Sequence, residues 1–192
     1  MHVYILEALR NNRKDPKIVA NCFYALAGLT FCLEEMTNLV TTPETTKLIM
    51  DLVKENQKST TVVEAGCCLV SNLCYHNEEA KKIYFQCNVV DSVLELFRLQ
   101  LDAKDYKGTV FKQMLRVLGN CSLLVDNAKK MVSKDFVPLS IQLIELVNYN
   151  QDMEVLKYVI EVFSNLSSHT DTDFKMYLAT MFKQGSLDML IT

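Results

Sequence analysis

The chain has 192 residues, of which 49% are hydrophobic and 22% charged, and its formal net charge is −3. Five Gly and three Pro are too few for an all-β fold with many tight turns. Residues 1–96 hold nine basic and twelve acidic side chains, and residues 97–192 hold eleven of each. Neither half has the basic excess that phosphate binding calls for, so we expect no nucleic-acid partner.

Targeting segments and disulfides are not expected either. No stretch approaches the roughly 18 uncharged apolar residues of a membrane span. The N-terminal sequence MHVYILEALRNN has Glu7 inside its apolar part and no small-residue cleavage site, which is not typical of a signal peptide. Seven cysteines, most of them inside apolar runs, indicate buried, reduced thiols. We therefore expect a cytoplasmic or nuclear location.

Helical spacing of apolar residues, interrupted by short polar segments, predicts helices along the whole chain. Asp15-Pro16 and Thr42-Pro43 are typical helix starts, because the first residue can cap free amides and proline suits the first turn. The predicted helices cover about 3–11, 15–33, 43–56, 60–75, 77–85, 89–101, 107–124, 126–134, 137–147, 153–168 and 171–183, and 186–192 begins another. Residues 34–40 are predicted to form a short helix or a turn.

One short pattern recurs near the end of the long helices. It reads Ser71-Asn72-Leu73, then Gly119-Asn120-Cys121, then Ser164-Asn165-Leu166, and an earlier copy has Gly28 in place of Asn. The copies lie 44, 48 and 45 residues apart, and a fixed period in this range indicates stacked helical repeats. Each unit is predicted to run short helix, middle helix, long helix.

The units are placed at about 1–33, 34–75, 77–124 and 126–168, with a partial unit at 171–192. Both ends fall inside a repeat rather than at a polar cap, so we expect the chain to be a fragment of a longer protein.

The 3.6-residue period also predicts which side of each long helix is buried. Around Asn72 the buried stripe is Leu69, Val70 and Leu73, at offsets −3, −2 and +1. The equivalent residues in the next two units are Val117, Leu118, Cys121, Val162, Phe163 and Leu166. Small residues directly before each signature position would let neighbouring helices approach closely.

The three-helix unit with a small-residue–Asn–Leu signature near the end of its third helix resembles the armadillo repeat. HEAT repeats are the close alternative, but they typically have two helices per unit. The resemblance covers nearly the whole chain and implies an all-α fold, a right-handed α-solenoid of about four three-helix armadillo-like repeats. It also implies that the third helices line a concave groove.

In armadillo proteins the Asn column binds the backbone of an extended partner peptide, and the residue four positions earlier lies on the same face. The resemblance therefore implies a partner-binding site made of Asn72, Asn120, Asn165, Cys68, Arg116 and Glu161, with Lys112 and Lys157 one turn further back. Lys112 and Arg116 would form a local positive spot. The alternative is that the Asn side chains bond a neighbouring turn and are structural.

The predicted function is a non-enzymatic protein-binding scaffold without cofactor. No phosphate loop, dinucleotide fingerprint or nucleophile motif is present. Cys67 and Cys68 point about 100° apart on a helix, so we expect no metal site. The first alternative is one section of a large protein, such as a kinase, ciliary or trafficking component, that serves self-association or intramolecular packing. A nuclear-transport adaptor is less favoured, since the chain has no Trp to sandwich a lysine.

Overall fold

The computed structural model describes residues 1–75, 77–103 and 106–184, and every regular element within these ranges is an α-helix. The helices are α1 His2–Asn11, α2 Pro16–Cys32, α3 Glu34–Val40, α4 Pro43–Glu55, α5 Thr60–Cys74, α6 Glu78–Gln86, α7 Val89–Asp102, α8 Gly108–Ser122, α9 Val125–Ser133, α10 Phe136–Asn150, α11 Met153–Ser168 and α12 Thr172–Gln184. In the part of the chain that is described, none of these helices is long and apolar enough to cross a membrane. The helix expected at 186–192 lies outside the described residues.

The helices recur in a fixed order of length. α3, α4 and α5 have 7, 13 and 15 residues, α6, α7 and α8 have 9, 14 and 15, and α9, α10 and α11 have 9, 15 and 16. The long helices α2, α5, α8 and α11 pack side by side in chain order and form one layer. We call them the third helices. The fold is therefore an all-α solenoid, as predicted, while the right-handed path and the unit boundaries remain predictions.

The expected helix starts are confirmed in atomic detail. The Asp15 carboxylate accepts hydrogen bonds from the amides of Lys17 and Ile18 at 2.9 and 3.2 Å, and Pro16 occupies the first turn, where its missing N–H leaves no bond unmade. At the start of α4 the Thr42 hydroxyl accepts from the amide of Thr45 at 3.1 Å. These caps fix the residue at which each of the two helices begins. The start of a helix in turn determines which of its residues face the neighbouring helices.

The largest difference from the predicted helix bounds is at the C-terminal end of α10. The polar run 148–152 was predicted to be a loop, but α10 continues to Asn150 and ends on Gln151, whose backbone is left-handed with φ 56°. At its other end α10 begins at Phe136, before the expected start at Val137. Phe136 is fully buried, and this apolar contact extends the helix toward its N-terminus.

Two of the three described turns from short to middle helix, those before α7 and α10, use a left-handed residue. Asn88 before α7 and Asp135 before α10 have φ 55° and 65°, a conformation that Asn and Asp tolerate better than other residues with a Cβ. Both side chains are held from a neighbouring helix. Lys130 Nζ donates to Asn88 Oδ1 at 2.8 Å, and the Arg98 guanidinium donates to Asp135 Oδ2 at 3.3 Å.

The buried stripe of the third helices matches the expectation at nearly every position. Its residues in α5 and α8 are at most 1% exposed, and so are the first and last of the three in α11. The exception is Phe163, which was expected to be buried but is half-buried. Its ring packs against that of Phe136, with centroids 5.7 Å apart and ring planes tilted by 49°. Among the described helices, no further third helix packs on α11.

Gly66 lies where side chains of two neighbouring helices pack tightly against α5. A Cβ on Gly66, in the middle of α5, would lie 2.3 Å from Val53 Cγ2 of α4 and 3.2 Å from Phe23 Cε2 of α2. Gly28 of α2 is the opposite case, because a Cβ there meets nothing within 4 Å. The two glycines thus have different roles although both lie inside third helices.

Candidate partner-binding face

The third helices present their signature residues on one side of the layer, which we call the third-helix face. It comprises the signature positions Gly28, Asn72, Asn120 and Asn165 together with the equivalent positions four and eight residues earlier and three residues later. Residues three, four and eight positions apart lie on the same side of an α-helix. The signature position and the three positions related to it therefore form four rows of residues, each of which runs across the third helices.

The Asn residues form a ladder between adjacent third helices. Asn72 Nδ2 donates to the carbonyl oxygen of Ala27 at 3.2 Å, Asn120 Nδ2 to that of Ser71 at 3.1 Å, and Asn165 Nδ2 to that of Gly119 at 3.0 Å. In each case the acceptor is the small residue directly before the signature position of the preceding helix. The column therefore has a structural use, and direct contact of the amides with a partner remains a prediction.

The row four residues earlier contains Tyr24, Cys68, Arg116 and Glu161, in four different environments. Arg116 is half-buried and its guanidinium donates to Asn72 Oδ1 at 3.2 Å and to Gln113 Oε1 at 2.8 Å. No carboxylate of the described residues lies within ion-pair distance of it. Cys68 is half-buried against the core, and Glu161 is exposed.

Tyr24 belongs to a polar chain across the face. Its hydroxyl donates to Glu64 Oε1 at 3.3 Å, while Thr109 of α8 donates to Glu64 Oε2 at 2.9 Å. Burial first, and then the negative charge of Glu64, raises the pKa of Tyr24 above its ordinary value, so the phenol stays protonated near neutral pH. Side chains of α2, α5 and α8 are thus joined in one line.

The row eight residues earlier holds the two expected lysines. Lys112 donates to the Glu154 carboxylate, a hydrogen bond that raises the pKa of the ammonium, and Nζ lies 5.7 Å from the centroid of the Tyr158 ring. Lys157 is exposed. The positive spot expected from Lys112 and Arg116 is therefore reduced to Arg116, because a carboxylate of α11 neutralises Lys112.

A cleft of about 960 Å³ opens where the C-terminal ends of α2 and α5 meet α3 and α8. Two of the predicted contacts, Asn72 and Arg116, line it. The sequence-based prediction missed its other walls, which include Thr30, Phe31, Thr37 and Tyr75. The sequence signal that could have identified these residues is their position. Phe31 and Tyr75 lie three residues after a signature position, and Thr37 lies on the adjoining short helix α3.

The cysteines of α5 belong to the core. Cys67 and Cys74 are buried, Cys68 is half-buried, and all seven cysteines of the chain are free. Burial raises the pKa of the Cys67 thiol to about 12. Among the described residues, no three His, Cys, Asp or Glu side chains converge on a point where they could hold a metal ion.

The stacked three-helix order, the continuous third-helix layer and the repeated Asn-to-carbonyl bond define an armadillo-type α-solenoid. The model of the family described as GAC ARM domain matches residues 2–188, and the chain belongs to this family. A crystal structure of an engineered protein, a Northeast Structural Genomics Consortium target, is similar in fold, with a TM-score of 0.69 and 15% sequence identity over 91% of this chain and 74% of that one. A search of curated proteins found no significant match.

Proposed function

We propose that the chain is a non-enzymatic scaffold that binds a segment of a partner protein along the third-helix face. Membership of an ARM domain family supports a role in protein interaction. The observation that carries the proposal is the cleft, because it lies on this face and has Asn72 and Arg116 in its walls. A layer whose helices are joined by hydrogen bonds and which has a cleft of this size suits a peptide segment better than a flat contact.

The proposal also covers location and partner class. Seven free thiols, three of them buried, support a reducing compartment, which we take to be the cytoplasm or the nucleus. The near balance of charge supports a protein rather than a nucleic-acid partner.

The test compares two charge-swapped variants by affinity capture from a cytosolic extract, with captured proteins cross-linked and mapped by mass spectrometry. The first variant, Lys157→Glu with Glu161→Lys, changes two exposed side chains of the face without changing the net charge. The matched control, Lys54→Glu with Glu95→Lys, exchanges an exposed ion pair between the outer helices α4 and α7.

A partner cross-linked to the face that is captured by wild type and the control, but lost by the first variant, supports the proposal. Equal loss with both variants, or cross-links confined to α4, α7 and α10, contradicts it. Capture of the chain itself, with a mass that rises with concentration in sedimentation velocity, would instead support the alternative of self-association.

A further inference from the structure

Among the described helices, α11 leaves exposed a flank whose equivalent is buried in the other third helices. Five residues before the signature position, Phe23, Cys67 and Leu115 are at most 2% exposed, and each lies on a helix against which a following third helix packs. The equivalent residue of α11, Ile160, is 59% exposed. The residue directly before the signature position follows the same pattern, since it is buried in α2, α5 and α8 and exposed in α11, where it is Ser164. The flank of α11 therefore has the surface of a helix–helix contact.

Apolar residues form one stripe along this flank. They are Met153, Leu156, Ile160 and Phe163, which follow one another at spacings of three, four and three residues. Met153 is 65% exposed, and Leu156 and Phe163 are half-buried. The alternation of three and four is that of the seam between two helices of a coiled coil. The stripe therefore suits another helix that packs along α11.

The charges beside the stripe suit a second copy of the same helix. Lys157 and Glu161 lie one turn apart where the flank borders the third-helix face, and both are exposed. Neither forms an ion pair within the part of the chain that the structure describes. Within one helix, Lys four residues before Glu is the less favourable order for such a pair. Both charges are thus available to a neighbour.

Two-fold symmetry brings these charges together in one orientation. If two α11 helices pair antiparallel about an axis that passes at Val159, midway between the two charged residues, Lys157 of each copy faces Glu161 of the other. In a parallel two-fold pair, Lys157 would instead face Lys157. Charge complementarity therefore selects the antiparallel pair, and it fixes the register of the two apolar stripes.

The contacts between units disfavour the other arrangement, in which α11 of one copy packs on α2 of the next. Lys112, eight residues before its signature position, pairs with Glu154, eleven residues before the next one, and the same two positions are hydrogen-bonded in the seam between α5 and α8. Head-to-tail packing would by this rule place Lys157 beside Lys17, which has the same charge. It would also lack the ladder bond, because α2 has Gly28 where the donor Asn would be.

We infer that two copies of the chain associate through α11, antiparallel about a two-fold axis at Val159. The apolar stripes form the buried seam, and Lys157 and Glu161 form an ion pair with their counterparts on each side of the axis. The inference does not depend on the proposed function. No residue of α11 lines the cleft, so the dimer leaves the cleft open to a partner segment.

The first test follows the mass of the full chain by sedimentation velocity between about 5 μM and 0.5 mM, where a weak to moderate dimer dissociates. The charge variants are Lys157→Glu, Glu161→Lys and the two together, and Ile160→Asp places a charge in the seam. The matched controls are Lys54→Glu, which makes the same change of net charge on the exposed surface of α4, and Leu99→Asp, at an exposed leucine of α7.

The second test reads the register directly. Equal amounts of isotope-labelled and unlabelled chain are mixed and treated with a carbodiimide, which joins an ammonium group to a carboxylate that it contacts. Mass spectrometry then shows whether Lys157 of one copy is linked to Glu161 of the other, because a link between copies joins a labelled and an unlabelled peptide.

We expect the mass of the wild type to approach twice 22.0 kDa as the concentration rises. Each single reversal turns both symmetry-related ion pairs into like-charge pairs, so it should raise the Kd at least about tenfold. The double variant exchanges the two signs and should return the Kd to within about threefold of wild type. Ile160→Asp should leave only monomer, and the two controls should dimerise like wild type. Circular dichroism of each variant shows that the fold is retained.

The inference is overturned if the wild type keeps the monomer mass up to about 0.5 mM, or if its mass rises beyond that of a dimer. It is also overturned if the double variant is as weak as the single ones, or if the dimer gives no link between copies at Lys157 and Glu161. The proposed function is tested separately. Because the double variant keeps the dimer, loss of a captured partner by that variant reports on the third-helix face.

Discussion

Replacing the ladder asparagines by alanine tests whether their amides hold the third helices together. Asn165→Ala removes one hydrogen bond, to the carbonyl of Gly119. Asn72→Ala removes two, the one to Ala27 and the one it accepts from the Arg116 guanidinium. The two substitutions are otherwise alike, since both residues are half-buried in the last turns of third helices.

The expected magnitudes follow from the bonds lost. A neutral hydrogen bond contributes about 1 kcal/mol net, so Asn165→Ala should lower the free energy of unfolding by about that amount. The bond from Arg116 is charge-assisted but half-exposed, so we add the same amount again and expect about 2 kcal/mol for Asn72→Ala. At roughly 3 °C per kcal/mol in a chain of this size, the melting temperature should fall by about 3 °C and 6 °C.

The assay is thermal unfolding followed by circular dichroism, with Asn148→Ala as the matched control. Asn148 is an exposed residue of α10, so this variant reports the gain in helix propensity alone. The stability of each ladder variant is taken relative to it. If both ladder variants melt with the control and yet lose the partner, the amides serve the partner, and the structural reading of the ladder is refuted.

Three further predictions concern packing and backbone. Gly66→Ala should lower the free energy of unfolding in urea by about 1–3 kcal/mol, because its new methyl group overlaps Val53. Gly28→Ala, whose methyl group meets open space, should raise it by about 0.5–1 kcal/mol. Equal effects of the two substitutions would contradict the packing described for Gly66. Phe163→Ala should cost about 2 kcal/mol, below the 3–5 kcal/mol of a fully buried ring. Asp135→Ala should cost about 1–2 kcal/mol at its left-handed φ, and Asp135→Gly less, in parallel denaturation curves.

The sequence was sufficient for the fold because the repeat carries the same information several times. The 44- to 48-residue period identified the third helices, and the stripe around each Asn gave their buried side. The prediction that Phe163 is buried was wrong, because its burial depends on what packs against α11. The pattern of residues within the helix holds no information on that packing. The end of α10 was misplaced because Asn and Tyr in 148–150 are polar or exposed but still compatible with a helix.

The candidate site was less predictable, and the reason is geometric. A signature Asn lies at the edge of the buried stripe, where its amide can point either outward or toward the adjacent helix. The period alone does not decide between the two, whereas the close approach at Ala27, Ser71 and Gly119 does. The exposed residues three positions later look like a continuation of the apolar core in the sequence, so their exposure became visible only in three dimensions.

The direction of the ladder has a consequence for how such a chain can change length. Every ladder bond runs from one Asn to the carbonyl of the unit before it, and each carbonyl belongs to a small residue one position ahead of an equivalent Asn or Gly. Excising residues 73–120 would bring Asn165 to the carbonyl of Ser71, a bond of the same kind. We therefore expect that a whole unit could be deleted or duplicated with this hydrogen bond re-formed between the helices that become neighbours, so that the number of units can vary.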